Sequence, residues 1–294
     1  MPHRLLKPVL GLVFFLMALL FVSEYAVAWP SKRISDIAYI SPGTPGFDTE
    51  RHRLDVYQPR QKSTEKRPVV VFIHGGNWNS GSKNIYWFVG RRLAKQGVVA
   101  VIINYRLAPG VAVPAMADDA ARAVQWTQQH IAEYGGDPNR IYVMGHSAGA
   151  GLAALLATDN TYFARLGVAA NPIKGAILDD PAGLDMYDYL KKMAYPNDEQ
   201  YLIPFGKNPD VWRAVSPMYH VSKASPPMLL FVGGKTYPSI ASSSEQFRQK
   251  LVELGVQHEF TLIPGKKHIP MVLQLFWKNN VIYQKLLKLV KMKP

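Results

Sequence analysis

Residues Ile141-Tyr142-Val143-Met144-Gly145-His146-Ser147-Ala148-Gly149 decide how the chain is read. Four residues with an apolar, β-branched and aromatic bias run into Gly-x-Ser-x-Gly, and the segment Ala148–Ala157 that follows is apolar on every side. A buried strand, a sharp turn and a buried helix are the expected order. A G-x-S-x-G match alone is weak. In a strand-turn-helix context it sets a serine hydroxyl at the C-terminal edge of a sheet, and the small residues relieve crowding around the turn. Ser147 is therefore the candidate nucleophile. The plain alternative is a tight βα turn that happens to contain a serine.

Outward from this point, further apolar runs occur at Val69–Ile73, Val98–Ile103, Ile177–Asp179, Met228–Val232 and Glu259–Ile263. They are too continuous for a one-sided sheet, so helices must cover both faces of a mostly parallel α/β sheet. Ile37–Ile40 and Arg53–Tyr57 alternate and read as an antiparallel edge. Ala120, Ala123, Val124, Thr127 and Ile131 mark a helix ending near Gly135-Gly136, and Ser242–Leu254 and Met271–Met292 read as two more. Between about 185 and 226 the pattern loosens into Tyr187, Tyr189, Tyr195, Tyr201, Phe205, Trp212 and Tyr219 among Pro, Asn and Lys, which suggests an insertion capping one end of the sheet.

His74-Gly75-Gly76-Asn77-Trp78 follows the run Val69–Ile73. Acyl transfer needs backbone N–H donors close to a developing oxyanion, and glycines allow that approach. Gly76, Asn77 and Ala148 are the candidate donors. Of the three histidines beyond Ser147, His220 lies in the cap and His258 begins a strand, whereas His268 follows Leu262-Ile263-Pro264-Gly265 on a loop at the right edge. His268 is the candidate base.

The set resembles an α/β-hydrolase-fold serine hydrolase, and more narrowly the HGGxW branch that holds kynurenine formamidase-like and acetyl- or feruloyl-esterase-like proteins. The likeness spans Val69 to His268 through HGGNW, Asn104-Tyr105-Arg106-Leu107-Ala108-Pro109, Asp119, Gly136-Asp137-Pro138, GHSAG and Ser216-Pro217. It implies a carboxylic ester hydrolase acting through an acyl-enzyme, with a small-molecule ester as substrate. An amidase or formamidase is the alternative, and a degenerate hydrolase that only binds is a third reading.

The sequence departs from that family at one point. The triad acid is expected a few residues after Met228–Val232, where this chain reads Gly233-Gly234-Lys235-Thr236, and no carboxylate occurs before Ser244. One run earlier, Ile177-Leu178-Asp179-Asp180-Pro181 ends in two. Asp180 is the first candidate for the acid and Asp179 the second, against the plain role of Asp before Pro in turning the chain.

Composition narrows the rest. The 294 residues contain no Cys, which removes thiol nucleophiles, Zn–Cys sites and disulfides. No metal or dinucleotide motif appears, so neither metal nor cofactor is expected. Ser80-x-x-Lys83 has no partner motif of a β-lactamase. Arg4 and Lys7 precede the apolar run Val9–Val22, and Ala26-Val27-Ala28 has small-x-small form. Fourteen residues span only about 21 Å as a helix against a hydrocarbon core of about 30 Å. Residues 1–28 thus read as a signal peptide before a hydrolase domain at 29–294, with an uncleaved anchor as the alternative, so the chain is expected to be secreted or periplasmic. The net charge of +13 comes without any nucleic-acid motif, and no nucleic-acid partner is expected. Lys266, Lys267, Lys278, Lys285, Lys288, Lys291 and Lys293 follow the last acid, Glu259, and suggest a weak contact with an anionic surface.

Overall fold

The computed structural model describes residues 31–291. The expected signal peptide, the anchor alternative, Met292 and Lys293 lie outside the described residues. Eight strands form one sheet in the order β1-β2-β4-β3-β5-β6-β7-β8, where β1 is Ser31–Ala38, β2 Arg53–Pro59, β3 Arg67–Ile73, β4 Val99–Ile103, β5 Gly136–His146, β6 Ile173–Asp179, β7 Met228–Gly233 and β8 His258–Ile263. β1 and β2 run antiparallel to their neighbours, and all the other pairings are parallel. Every residue of β4 and the second half of β5 are buried, as strands covered on both faces require.

Two apolar layers clothe the sheet. On one face, helix Val113–His130 and the helix Ala148–Thr158, apolar up to its last residue, pack on Val69, Val71, Ile141 and Val143. On the other, helices Trp87–Lys95 and Val281–Lys291 cover Val70, Phe72, Tyr142 and Met144. Adjacent strand residues thus serve opposite layers, which is the period of two expected of a strand. This is the α/β-hydrolase arrangement, a mostly parallel sheet between helices. From Met186 to Tyr219 short helices replace a direct β6–β7 crossover and roof the C-terminal edge of the sheet.

Two expectations need correction, and one helix is added. The first strand lies at Ser31–Ala38 rather than Ile37–Ile40, with an irregularity between Ile34 and Ile37; Tyr39 turns inward instead, its hydroxyl donating to the carbonyl of Asn104 at 3.0 Å. The expected helix Met271–Met292 is broken into His268–Leu273, a 3-10 turn at Gln274–Phe276 and Val281–Lys291. Asn280 causes the restart, because its side chain accepts from the Tyr283 N–H at 2.9 Å while donating to the Trp277 carbonyl at 2.6 Å. Helix Trp87–Lys95 was not expected from the sequence, although its buried Val89, Gly90, Leu93 and Ala94 have helical spacing.

The antiparallel edge is tied to the body by Lys83. Its ammonium is 2.6 Å from Asp36 and 2.8 Å from Asp55, with the side chain almost wholly buried. Arg33 joins the same carboxylate of Asp55 at 2.7 Å. Lys83 is a fully paired strut, which agrees with setting aside the S-x-x-K pattern.

Candidate active site

Parallel strands deliver their following loops to one edge, and five such loops meet here. Ser147 caps the helix Ala148–Thr158 at φ 54° and ψ −123°, a strained turn for a residue with a Cβ. Its surroundings enforce the strain. A Cβ on Gly149 would lie 2.1 Å from the Ile73 carbonyl, so only glycine lets the helix sit this close to β3. The Ser147 N–H donates to Asp179 O at 3.0 Å, and its own carbonyl accepts from Ala150, Gly151 and Ala182.

His268 begins the short helix after β8. Its Nε2 lies 2.8 Å from Ser147 Oγ and its Nδ1 2.6 Å from Asp180 Oδ2. Asp180 is fully buried, and its other oxygen accepts the Gly233 N–H at 2.8 Å. Thr236, where a carboxylate was expected, donates its hydroxyl to Asp180. The place after β7 therefore supplies a donor to an acid that comes from β6. Asp180 itself stands at φ 50°, a turn that carries its carboxylate out of the strand direction and toward the β7 loop.

Asp179, the second candidate acid, does not meet His268 in this way. The β5–β6 register sets it opposite His146, whose Nδ1 is 3.1 Å from Asp179 Oδ2. Both side chains are buried, and burial raises the Asp179 carboxyl above its ordinary range despite the facing imidazole. The His146 ring lies 4.8 Å from that of His268. Sequence reading passed over this pair. Its signal was there, since the last residues of neighbouring parallel strands share one level of the sheet.

The loop His74–Ser80 forms the facing wall. A Cβ on Gly75 would reach 2.8 Å from the His146 carbonyl, so the backbone abuts the serine turn directly. Gly76 at φ 127° turns its carbonyl to the N–H groups of Asn79 and Ser80, and it and Asn77 line the cavity beside Ser147. The N–H groups of Gly76, Asn77 and Ala148 donate to no other described group. For Ala148, the first residue of its helix, that is the ordinary state of an orphan donor. His74 contributes nothing to the proton path. It is buried, stacked 4.4 Å from Tyr105, and donates from Nδ1 to Gly75 O at 2.8 Å; burial pushes its imidazole down to about 4. Trp78 reaches the cap, with its ring edge-on to Phe205 at 4.8 Å and to Tyr201 at 6.0 Å.

Above Ser147 opens a cavity of about 580 Å³. Trp78, Met186, Tyr189, Tyr201, Ile240 and Val272 give it a largely apolar and aromatic wall. Such a volume holds a small organic molecule, with its polar groups gathered at the serine. The half-buried nucleophile and base, the buried acid and the free N–H donors are arranged to take a proton from Ser147 Oγ and to hold a negative oxygen nearby.

The profile of the BD-FAE family matches residues 54–251, which include Ser147, Asp179 and Asp180. The chain belongs to the BD-FAE family. Among the relatives of this family member is a probable isoprenylcysteine alpha-carbonyl methylesterase of Arabidopsis thaliana, 32% identical over 77% of this chain and 50% of its own length. The chain spans about half the length of the first such curated relatives. Kynurenine formamidase of Danio rerio is 28% identical over 88% of this chain and 85% of its own. Among solved structures, Thermogutta terrifontis esterase 2 phosphonylated by sarin aligns with a TM-score of 0.65 and 28% identity, covering 81% of this chain and 87% of that one.

Proposed function

We propose that this BD-FAE family member is a serine hydrolase of carboxylic esters. One observation carries the reading: the unbroken line from Ser147 Oγ through both nitrogens of His268 to a buried Asp180 carboxylate. With Nδ1–H donating to Asp180, Nε2 is left as the acceptor for the Ser147 proton. Oγ then attacks the ester carbonyl, and the N–H groups of Gly76, Asn77 and Ala148 receive the oxyanion. The proton held on His268 passes to the leaving alcohol. Water, deprotonated by the same nitrogen, releases the acid from Ser147. Asp180 keeps the ring in the required tautomer and stabilises the imidazolium between these steps.

The names of the Arabidopsis and Thermogutta relatives support ester cleavage; the zebrafish relative supports the amide alternative over a larger share of its length. A fluorophosphonate probe is expected to label the chain and to fail on Ser147→Ala. Hydrolysis of p-nitrophenyl acetate and of an N-formyl aniline then separates the two chemistries. Faster turnover of the formamide sinks the ester reading, and labelling unaffected by Ser147→Ala sinks the nucleophile.

We also infer export, supported by Arg4 and Lys7, the apolar run Val9–Val22 and Ala26-Val27-Ala28. Mass spectrometry of the protein recovered from its own cell is expected to give Trp29 as the first residue. Retention of residues 1–28 favours an anchor instead.

A further inference from the structure

His268 opens the short helix His268–Leu273, which gives way to a 3-10 turn at Gln274–Phe276. Ile269, Leu273 and Trp277 follow at intervals of four residues and are 56%, 51% and 61% exposed. Ile269 borders the cavity mouth together with Tyr237, itself 58% exposed. Phe276 turns back against the helix Trp87–Lys95, with ring centroids 6.3 Å from Trp87 and 5.9 Å from Phe88, and Ile85 stands exposed just before that helix. Single exposed apolar residues are ordinary. A set of large ones sharing a face with half-buried aromatic rings, and running to the lip of a cavity, marks a surface that meets something apolar.

Charge indicates what it meets. The three segments that build this face, residues 84–95, 233–244 and 264–291, contain ten Lys and Arg and no Asp or Glu. Of these, Lys285 is answered by Glu259 at 2.6 Å. Arg92 is held at the aromatic cluster, donating to the Phe276 carbonyl at 2.6 Å with its guanidinium 5.5 Å from the Phe276 ring. Lys235, Lys267 and Lys278 are exposed around the patch. Across the mouth the cap carries Asp185 and Asp188 together with Lys191 and Lys192, Lys192 lying 2.8 Å from Asp188, so cationic excess belongs to the side of the mouth that bears the apolar face. Apolar and indole groups within a ring of cations match the boundary between acyl chains and anionic headgroups.

We propose that the face formed by Ile85, Ile269, Leu273 and Trp277 docks on a bilayer bearing anionic headgroups, and that the site takes the ester of an amphiphile resident in that bilayer. The substrate part rests on the reading of Ser147 as an ester-cleaving nucleophile; the docking part does not. The helix bearing His268 would lie on the membrane with the cavity mouth at headgroup level. A chain drawn from the lipid would then pass Tyr237 and Ile269 to reach Ser147 without crossing water.

The absence of cysteine gives a clean test on the full chain. Leu273→Cys and Val252→Cys, each in a Ser147→Ala background, are labelled on the thiol with an environment-sensitive fluorophore. Val252 is 55% exposed near the end of helix Pro238–Glu253 remote from the mouth. Vesicles of phosphatidylglycerol with phosphatidylcholine are expected to shift the emission at position 273 to the blue and to leave position 252 unmoved. The local probe reads this whether or not the N-terminal apolar run also holds the chain to the vesicle. Raising NaCl to about 1 M, where the Debye length falls to about 3 Å, is expected to weaken the shift. In the active chain, Trp277→Ser and Lys278→Glu are expected to slow cleavage of a long-chain ester carried in such vesicles about tenfold, with p-nitrophenyl acetate turnover unchanged. Docking is overturned by no shift at position 273, by equal shifts at both positions, or by an equal shift with pure phosphatidylcholine. A shift that needs only higher protein concentration overturns it too and assigns the face to a second copy of the chain. A vesicle-dependent shift in a chain that cleaves neither ester leaves docking standing and removes the ester reading.

Discussion

Asp179 and Asp180 are consecutive, and each presents a carboxylate oxygen to the Nδ1 of a histidine, yet the two pairs are placed for different work. Asp180 has donors at both oxygens, from Gly233, Thr236 and His268, and its histidine reaches a hydroxyl at the cavity floor. Asp179 has one oxygen on His146 and the other without a partner, and His146 Nε2 has none either. The comparison teaches that a His–Asp pair becomes a proton relay through its surroundings. Full satisfaction of the acid holds it and its ring in place, and a hydroxyl within reach of the second ring nitrogen gives that ring something to deprotonate.

The strongest way to break this contrast is Asp180→Asn. It is expected to lower kcat on p-nitrophenyl acetate by about four orders of magnitude while the chain stays folded. Activity within tenfold of the parent would show that the relay does not need Asp180. Adding Thr236→Asp to that variant is expected to recover more than tenfold, because the new carboxylate stands at the same edge one strand away.

Asp179→Asn and His146→Phe should act in the opposite sense, on stability before rate. Breaking one side of a buried pair costs about 3–5 kcal/mol. Urea unfolding is expected to register that loss, with kcat of the remaining folded enzyme held within about tenfold, an effect below that of removing a triad member. A rate loss as deep as that of Asp180→Asn would erase the distinction between the pairs.

His74 extends the comparison to an imidazole with no carboxylate at all. Its folded value of about 4 lies below the ordinary 6.5, so the unfolded chain binds the extra proton first. Stability is full above about pH 6.5 and declines as pH falls toward 4, by up to about 3 kcal/mol from this group. Unfolding free energies at pH 7 and pH 4.5 measure it, and His74→Asn is expected to flatten the slope. The smallest effect belongs to Thr236→Val, which removes one hydrogen bond to the Asp180 carboxylate. A loss of about 1.5–3 kcal/mol in transition-state stabilisation is expected from kcat/KM.

Much of this was legible beforehand, and the reasons differ by residue. Ser147 and its neighbours are read from local geometry, since a strand-turn-helix with glycines at 145 and 149 has few other solutions. The choice of Asp180 follows from counting carboxylates near the sheet edge. Its separation from Asp179 depends on a positive φ and on the β5–β6 register, neither of which a linear pattern displays. Lys83 is similar: a lysine's burial is decided by Asp36 and Asp55, which lie 47 and 28 residues away in the chain. The break in the C-terminal helix turned on Asn280 acting as a cap within an apolar periodicity that otherwise runs on. Export remains a reading of residues 1–28 alone.

Delivery of the acid from β6 also changes what the turn after β7 is free to do. That turn owes Asp180 only the Gly233 amide and the Thr236 hydroxyl, and then leads straight into Tyr237 and Pro238 at the cavity entrance. Its remaining length is therefore open to redesign: an engineer could recast the gateway beyond Tyr237, whose ring lies 5.1 Å from that of His268, and alter which molecules enter while the triad keeps its acid.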